Sequence, residues 1–124
     1  MILFDTSVLI AHLRGVESAS QLLSDAVRAD SASCSVLTRV EIEGGMRSEE
    51  RFAVRRLMGV LKAEPVTEEI AIRAGELLRA YRRSHPGIDV VDYVIAATAQ
   101  VRDAELATLN VKHFPMIESI GPPY

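Results

Sequence analysis

The sequence has a single cysteine, no tryptophan and no apolar run long enough to cross a bilayer. Each absence removes a class of function. Cys34 has no partner for an internal disulfide and no metal-ligand spacing around it, and its setting, Ser33-Cys34-Ser35-Val36, suits a small residue inside a strand. Spanning a membrane takes about 20 consecutive apolar residues. The N-terminal apolar stretch is broken by Asp5, His12 and Arg14, which also spoils a secretory signal, so a cytoplasmic location is expected. Three phenylalanines and three tyrosines make no broad aromatic platform for stacking bases. Phosphate-cradling loops are missing too, since neither G-x-x-x-x-G-K-[ST] nor G-x-G-x-x-G occurs. Positive charge is in deficit, with 14 Lys plus Arg against 17 Asp plus Glu, so net charge does not draw the chain to nucleic acid.

What is present reads as one globular α/β domain over residues 1–124, 48% hydrophobic and 25% charged, long enough to bury about two thirds of its unfolded surface. Met1-Ile2-Leu3-Phe4 is apolar without alternation, the pattern of a central parallel strand covered on both faces. Asp5 follows at its carboxyl end, the edge where open α/β sheets bind ligands. Equally, Asp5, Thr6 or Ser7 would serve as N-cap for a helix over Val8 to Leu13. Ala19, Leu22, Leu23, Ala26 and Val27 mark a second helix, and Ala32 to Leu37 a second strand. Thr38, with Glu41 three residues on, makes a capping box for the next helix, and Gly44-Gly45 permits close approach.

Glu49 to Lys62 predicts a helix with Phe52, Ala53, Leu57, Val60 and Leu61 inward and Arg47, Arg51 and Arg55 on another face. Ala63 to Val66 is a brief strand that Pro65 confines to an edge or an end. Thr67 caps a long helix through Ile70, Ala71, Ala74, Leu77, Leu78 and Tyr81, ending in Arg79, Arg82 and Arg83. After the His85-Pro86-Gly87 loop, Asp89 opens a helix over Val90 to Arg102. Glu105 to Thr108 is a fourth strand and Met116 to Ile120 a short last one. Strands separated by helices imply right-handed βαβ crossovers and a parallel sheet.

Three carboxylates then share one sheet edge: Asp5 after the first strand, Glu41 near the start of the helix after the second, and Asp92 in the first turn of the helix before the fourth. Like charges about 4 Å apart repel by roughly 1 kcal/mol in water and roughly 4 at an effective dielectric of 20, so such a cluster calls for a cation. A hard divalent ion with carboxylate and water ligands suits it. Thr6, Ser7, Ala96 and Ala97 leave room around the acids.

The blocks ILFDTSVLIAHL, SVLTRVEIEGG, GIDVVDYVIAATA and LATLNVKHF, in this order and spacing, resemble the four motif regions of the PIN domain, and specifically the VapC-type toxins of bacterial toxin-antitoxin pairs. The resemblance implies a three-layer αβα fold around a short parallel sheet of four to five strands. It implies a Mg²⁺- or Mn²⁺-dependent endoribonuclease leaving a 5′-phosphate and a 3′-hydroxyl, silenced by a cognate VapB-type antitoxin. The family's catalytic acids carry over onto Asp5, Glu41 and Asp92. Many PIN domains have a fourth acid where this chain has Thr108-Leu109-Asn110, and Asn110 can bind a metal-held water or a phosphate but brings no charge.

On this reading Asp5 and Asp92 hold one ion, and Glu41 positions or deprotonates the attacking water. Thr6, Ser7, Thr108 and Asn110 support them. Arg47, Arg51, Arg55 and Arg56, with Arg79, Arg82 and Arg83, track the RNA backbone, although a basic helix stripe is commonly a solvated face. Leu9, Leu13 and Leu22 offer an apolar surface for the antitoxin or for a homodimer, or else ordinary core. His12, His85 and His113 are scattered and read as structural or surface residues, and Tyr81 and Tyr93 as packing. A haloacid-dehalogenase-type phosphatase needs a second Asp where Ser7 stands, and a receiver domain needs an acidic pair before its phospho-accepting Asp. The alternative from another class is a PIN-like docking module without catalysis.

Overall fold

The computed structural model describes residues 1–124. Strands β1 (Ile2–Phe4), β2 (Ala32–Ser35), β3 (Lys62–Glu64) and β4 (Glu105–Ala107) form one parallel sheet in the order β3-β2-β1-β4. Six helices cover it: α1 (Thr6–Leu13), α2 (Glu17–Arg28), α3 (Val36–Gly45), α4 (Arg51–Val60), α5 (Glu68–Tyr81) and α6 (Val90–Val101). Alternation along β1 assigns the layers. Phe4 joins the core made with α1 to α4, and Leu3 joins the core made with α5 and α6. Both are fully buried, so the unbroken apolar run does reflect a strand covered on two faces.

In register, Leu3 pairs with Ser33 and Leu106, and Ser35 pairs with Glu64. The carboxyl ends of β1, β2 and β4 therefore open onto a common edge, where α1 and α3 begin. Two expected caps are present. Thr67 Oγ1 accepts the Ile70 N–H at 3.2 Å, and Asp89 accepts the Asp92 N–H at 3.3 Å.

Several boundaries differ from the sequence reading, each for a local reason. α1 starts at Thr6 rather than Val8. β2 stops at Ser35 rather than Leu37, because Ser35 Oγ accepts the Leu37 N–H at 3.1 Å and caps α3. Thr38 is thus inside α3, fully buried with its hydroxyl unpartnered, and the Thr38–Glu41 capping box does not form. The helix expected over Glu49 to Lys62 is a 3₁₀ turn at Ser48–Glu50 followed by α4, and β3 takes Lys62. The inward face of α4 is Val54, Leu57 and Met58, while Ala53 and Val60 are exposed and Phe52 is 73% exposed. A strand over Met116 to Ile120 is absent. Ser119 takes φ +56° and Pro115 precedes the segment, so the chain turns there and Met116, Ile117 and Ile120 simply pack on the α5/α6 core.

Candidate active site

Asp5 lies where β1 passes into α1, with extended backbone (φ −76°, ψ 158°) and its N–H bonded to the Ala107 carbonyl at 2.9 Å. Its position is that of the α1 N-cap, yet its side chain makes no capping hydrogen bond. The carboxylate is 5% exposed and turns instead to two hydroxyls. Oδ2 accepts from Thr108 Oγ1 at 2.7 Å and from Ser7 Oγ at 3.3 Å. An ionised carboxylate only accepts, so both hydroxyls donate to Asp5, and each accepts a backbone N–H in turn: Asn110 N–H donates to Thr108 Oγ1 at 3.0 Å, and Leu109 N–H to Ser7 Oγ at 3.0 Å. No lysine, arginine or histidine forms an ion pair with Asp5.

Glu41 is exposed on α3, and its Oε1 accepts from Thr6 Oγ1 at 2.7 Å, tying it to the residue after Asp5. Asp92, half-buried in the first turn of α6, meets His113 Nδ1 through Oδ2 at 3.1 Å. Burial raises the Asp92 pKa above the ordinary carboxylate value, and the charge of Asp89 adds to this. The charge of His113 and its hydrogen bond act in the opposite sense, and Asp5 raises the value further. Asp5 and Asp92 are thus within electrostatic reach. A common pattern joins the three acids. Each is held through one carboxylate oxygen, and its other oxygen accepts no hydrogen bond from the protein.

No three His, Cys, Asp or Glu side chains converge into a ready ligand set. The donor chemistry nevertheless fits a hard divalent ion. Mg²⁺ takes one or two carboxylates and keeps several waters, and Asp5 and Asp92 each have a free carboxylate oxygen to offer. Asp89 is occupied as the α6 cap. Asn110 is exposed and contributes its backbone N–H to Thr108. Arg47, Arg51, Arg55 and Arg56 lie at and just before α4, and Arg79, Arg82 and Arg83 at the end of α5; all seven are exposed and none is ion-paired. The Arg56 guanidinium lies 6.0 Å from the Phe52 ring centre. Of the apolar residues considered for a partner surface, Leu9 is fully buried, whereas Leu13 and Leu22 are only partly covered.

The residue that sequence reasoning passed over is His113. Its contact with Asp92 spans 21 positions, and only its place in the NVKHF block, just past Thr108 and Asn110, pointed to the site.

Residues 2–115 match the family model described as the PIN domain. The chain belongs to the PIN-domain family. Among curated PIN-domain relatives, it is 52% identical to Ribonuclease VapC10 of Mycobacterium tuberculosis over 124 residues, covering 100% of this chain and 93% of that protein. It is 45% identical to Ribonuclease VapC19 of the same organism over 125 residues, covering 100% of both. These full-length matches place it with the VapC-type PIN domains. Among solved structures, a toxin-antitoxin complex from Klebsiella pneumoniae contains a chain that superposes with a TM-score of 0.80 at 28% identity, covering 100% of this chain and 98% of that one.

Proposed function

We propose that residues 1–124 work as a single catalytic unit, the toxin of a toxin-antitoxin pair, and that this toxin is a divalent-metal-dependent endoribonuclease. The observation that carries this reading is the set of three carboxylates on one sheet edge, each pinned through one oxygen with the other left free. The resemblance to relatives named as ribonucleases gives it a substrate. No helix is long and apolar enough to cross a membrane, and we place the action in the cytoplasm, where RNA is the substrate.

Asp5 and Asp92 would hold Mg²⁺ or Mn²⁺. Such an ion, when bound, lowers the pKa of a water and neutralises charge building on the scissile phosphate. Ser7 and Thr108 keep the Asp5 carboxylate from rotating, because both hydroxyls donate to the same oxygen. Glu41, exposed and held by Thr6, would orient the attacking water and accept its proton. The unpaired arginines of α4 and α5 supply phosphate contacts that position RNA without reading its bases. The partner is a VapB-type antitoxin, a reading supported by the likeness to a chain of a toxin-antitoxin complex, and the partly covered Leu13 and Leu22 offer a surface for it or for a homodimer.

The test is incubation of total RNA with purified protein and Mg²⁺ or Mn²⁺, beside EDTA and Asp5→Ala controls. Discrete metal-dependent fragments that vanish in both controls are expected. Absence of cleavage by the wild type, together with retained antitoxin binding, would convert the reading to a docking module.

A further inference from the structure

The six residues after β4 form a clasp that reaches from one acid to another. Thr108 Oγ1 donates to Asp5 and accepts the Asn110 N–H, while Leu109 N–H is held by Ser7 Oγ. A 3₁₀ turn follows at Val111–His113, closed by His113 N–H to the Asn110 carbonyl at 2.9 Å. Phe114, fully buried in the α5/α6 core, anchors the far side. His113 is therefore fixed in backbone on both sides, and its ring meets Asp92 Oδ2 at 3.1 Å. An ionised carboxylate only accepts, so Nδ1 carries the proton and donates. The second ring nitrogen makes no hydrogen bond within the protein, and the side chain is 47% exposed, so burial does not explain its place.

We propose that His113 is a positioning residue for metal binding, holding the Asp92 carboxylate through Oδ2 so that its other oxygen faces the site. The inference rests on the assignment of Asp92 as a ligand made above. Orienting a ligating carboxylate by a neighbouring hydrogen bond is worth 10- to 100-fold in metal affinity where it has been removed. In this chain the clasp supplies that orientation to both acids, through the Thr108 hydroxyl at Asp5 and through an imidazole at Asp92.

The probe is Mn²⁺ alone, titrated calorimetrically into metal-free full-length protein. His113→Ala is expected to weaken Mn²⁺ binding by about tenfold or more, and His113→Asn, whose amide N–H sits close to the place of Nδ1, to stay within about threefold of wild type. Thermal melts of the metal-free variants confirm that each is folded. In RNA cleavage, His113→Ala regains most of its rate once Mn²⁺ is raised to saturation. Affinity of His113→Ala equal to wild type overturns the proposal, as does a loss in His113→Asn as large as in His113→Ala. Asp92→Asn separates this from failure of the parent assignment: if that variant binds Mn²⁺ as tightly as wild type, Asp92 is no ligand and the proposal goes with it.

Discussion

Asp5 and Glu64 are two carboxylates at nearly the same level of one sheet, and they are treated in opposite ways. Glu64, the last residue of edge strand β3, is 4% exposed and has both oxygens neutralised, Oε2 by Arg102 Nε at 3.2 Å and Oε1 by Lys62 Nζ at 3.8 Å. Asp5, the residue after β1, is as deeply placed but receives only two hydroxyls on one oxygen and no cation at all. Burying a charge is costly unless the protein or a ligand compensates it. Compensation inside the chain makes Glu64 structural. Compensation withheld at Asp5 is what supports the proposal that it serves a bound ion.

Removing the two acids should therefore hurt different properties. Asp5→Asn is expected to abolish RNA cleavage, by about three orders of magnitude or more, the scale on which loss of a core catalytic group acts, while leaving the melting temperature of the metal-free protein unchanged or raised. A large fall in melting temperature instead would make Asp5 structural and break the contrast. Metal addition sharpens it. Mn²⁺ at about 100 times its dissociation constant should stabilise the wild type by roughly 2.7 kcal/mol, as read by thermal shift, and should give no comparable shift in Asp5→Asn.

At the other acid, Arg102→Met strands a buried carboxylate. The full cost of breaking a buried pair is about 3–5 kcal/mol, and about 2 is expected here because Arg102 is 38% exposed and Lys62 remains. Denaturant unfolding would measure it. Glu64→Leu combined with Arg102→Met should recover most of the loss, since an apolar pair needs no compensation. No such rescue exists for Asp5 if its charge serves a ligand.

The smallest effect concerns Asp92, intermediate between the two in that a partly exposed histidine holds one oxygen. Its pKa is raised in the folded state, chiefly by burial, so the folded chain binds that proton more tightly than the unfolded one. Stability then falls as pH rises from the ordinary carboxylate value through the raised one. Asp92→Asn removes this titration. Metal-free melts between pH 3 and pH 8 should show the variant more stable than wild type at the neutral end, with the difference fading towards the acid end. A variant less stable than wild type at pH 7 would mean that His113 fully compensates the charge.

Much of this was legible in the chain itself. The apolar run before Asp5, the helical period of Ile70 to Tyr81 and the caps at Thr67 and Asp89 are read from neighbours, because strand burial, helix period and capping are set over a few residues. The order of Asp5, Glu41 and Asp92 along alternating strands and helices likewise carried them to one edge, since parallel crossovers put successive strand ends on the same side. Local competition was harder to read. Ser35 and Thr38 are both able caps, and which of them ended β2 depended on how far the strand stayed paired with β3. The inward face of α4 differs from the sequence reading at Phe52, Ala53 and Val60, because an apolar residue on an outer helix need not be buried.

Composition, periodicity and motif order by themselves determined an α/β chain with three acids at the carboxyl edge of a parallel sheet. Tertiary structure alone decided which partner each acid received: Thr6 for Glu41, 35 positions away; Thr108 for Asp5, 103 away; His113 for Asp92, 21 away; and Arg102 for Glu64. Local preference fixes the form of an element, but a side chain's partner depends on where the crossovers bring distant residues together, and that placement separates a compensated charge from one left open.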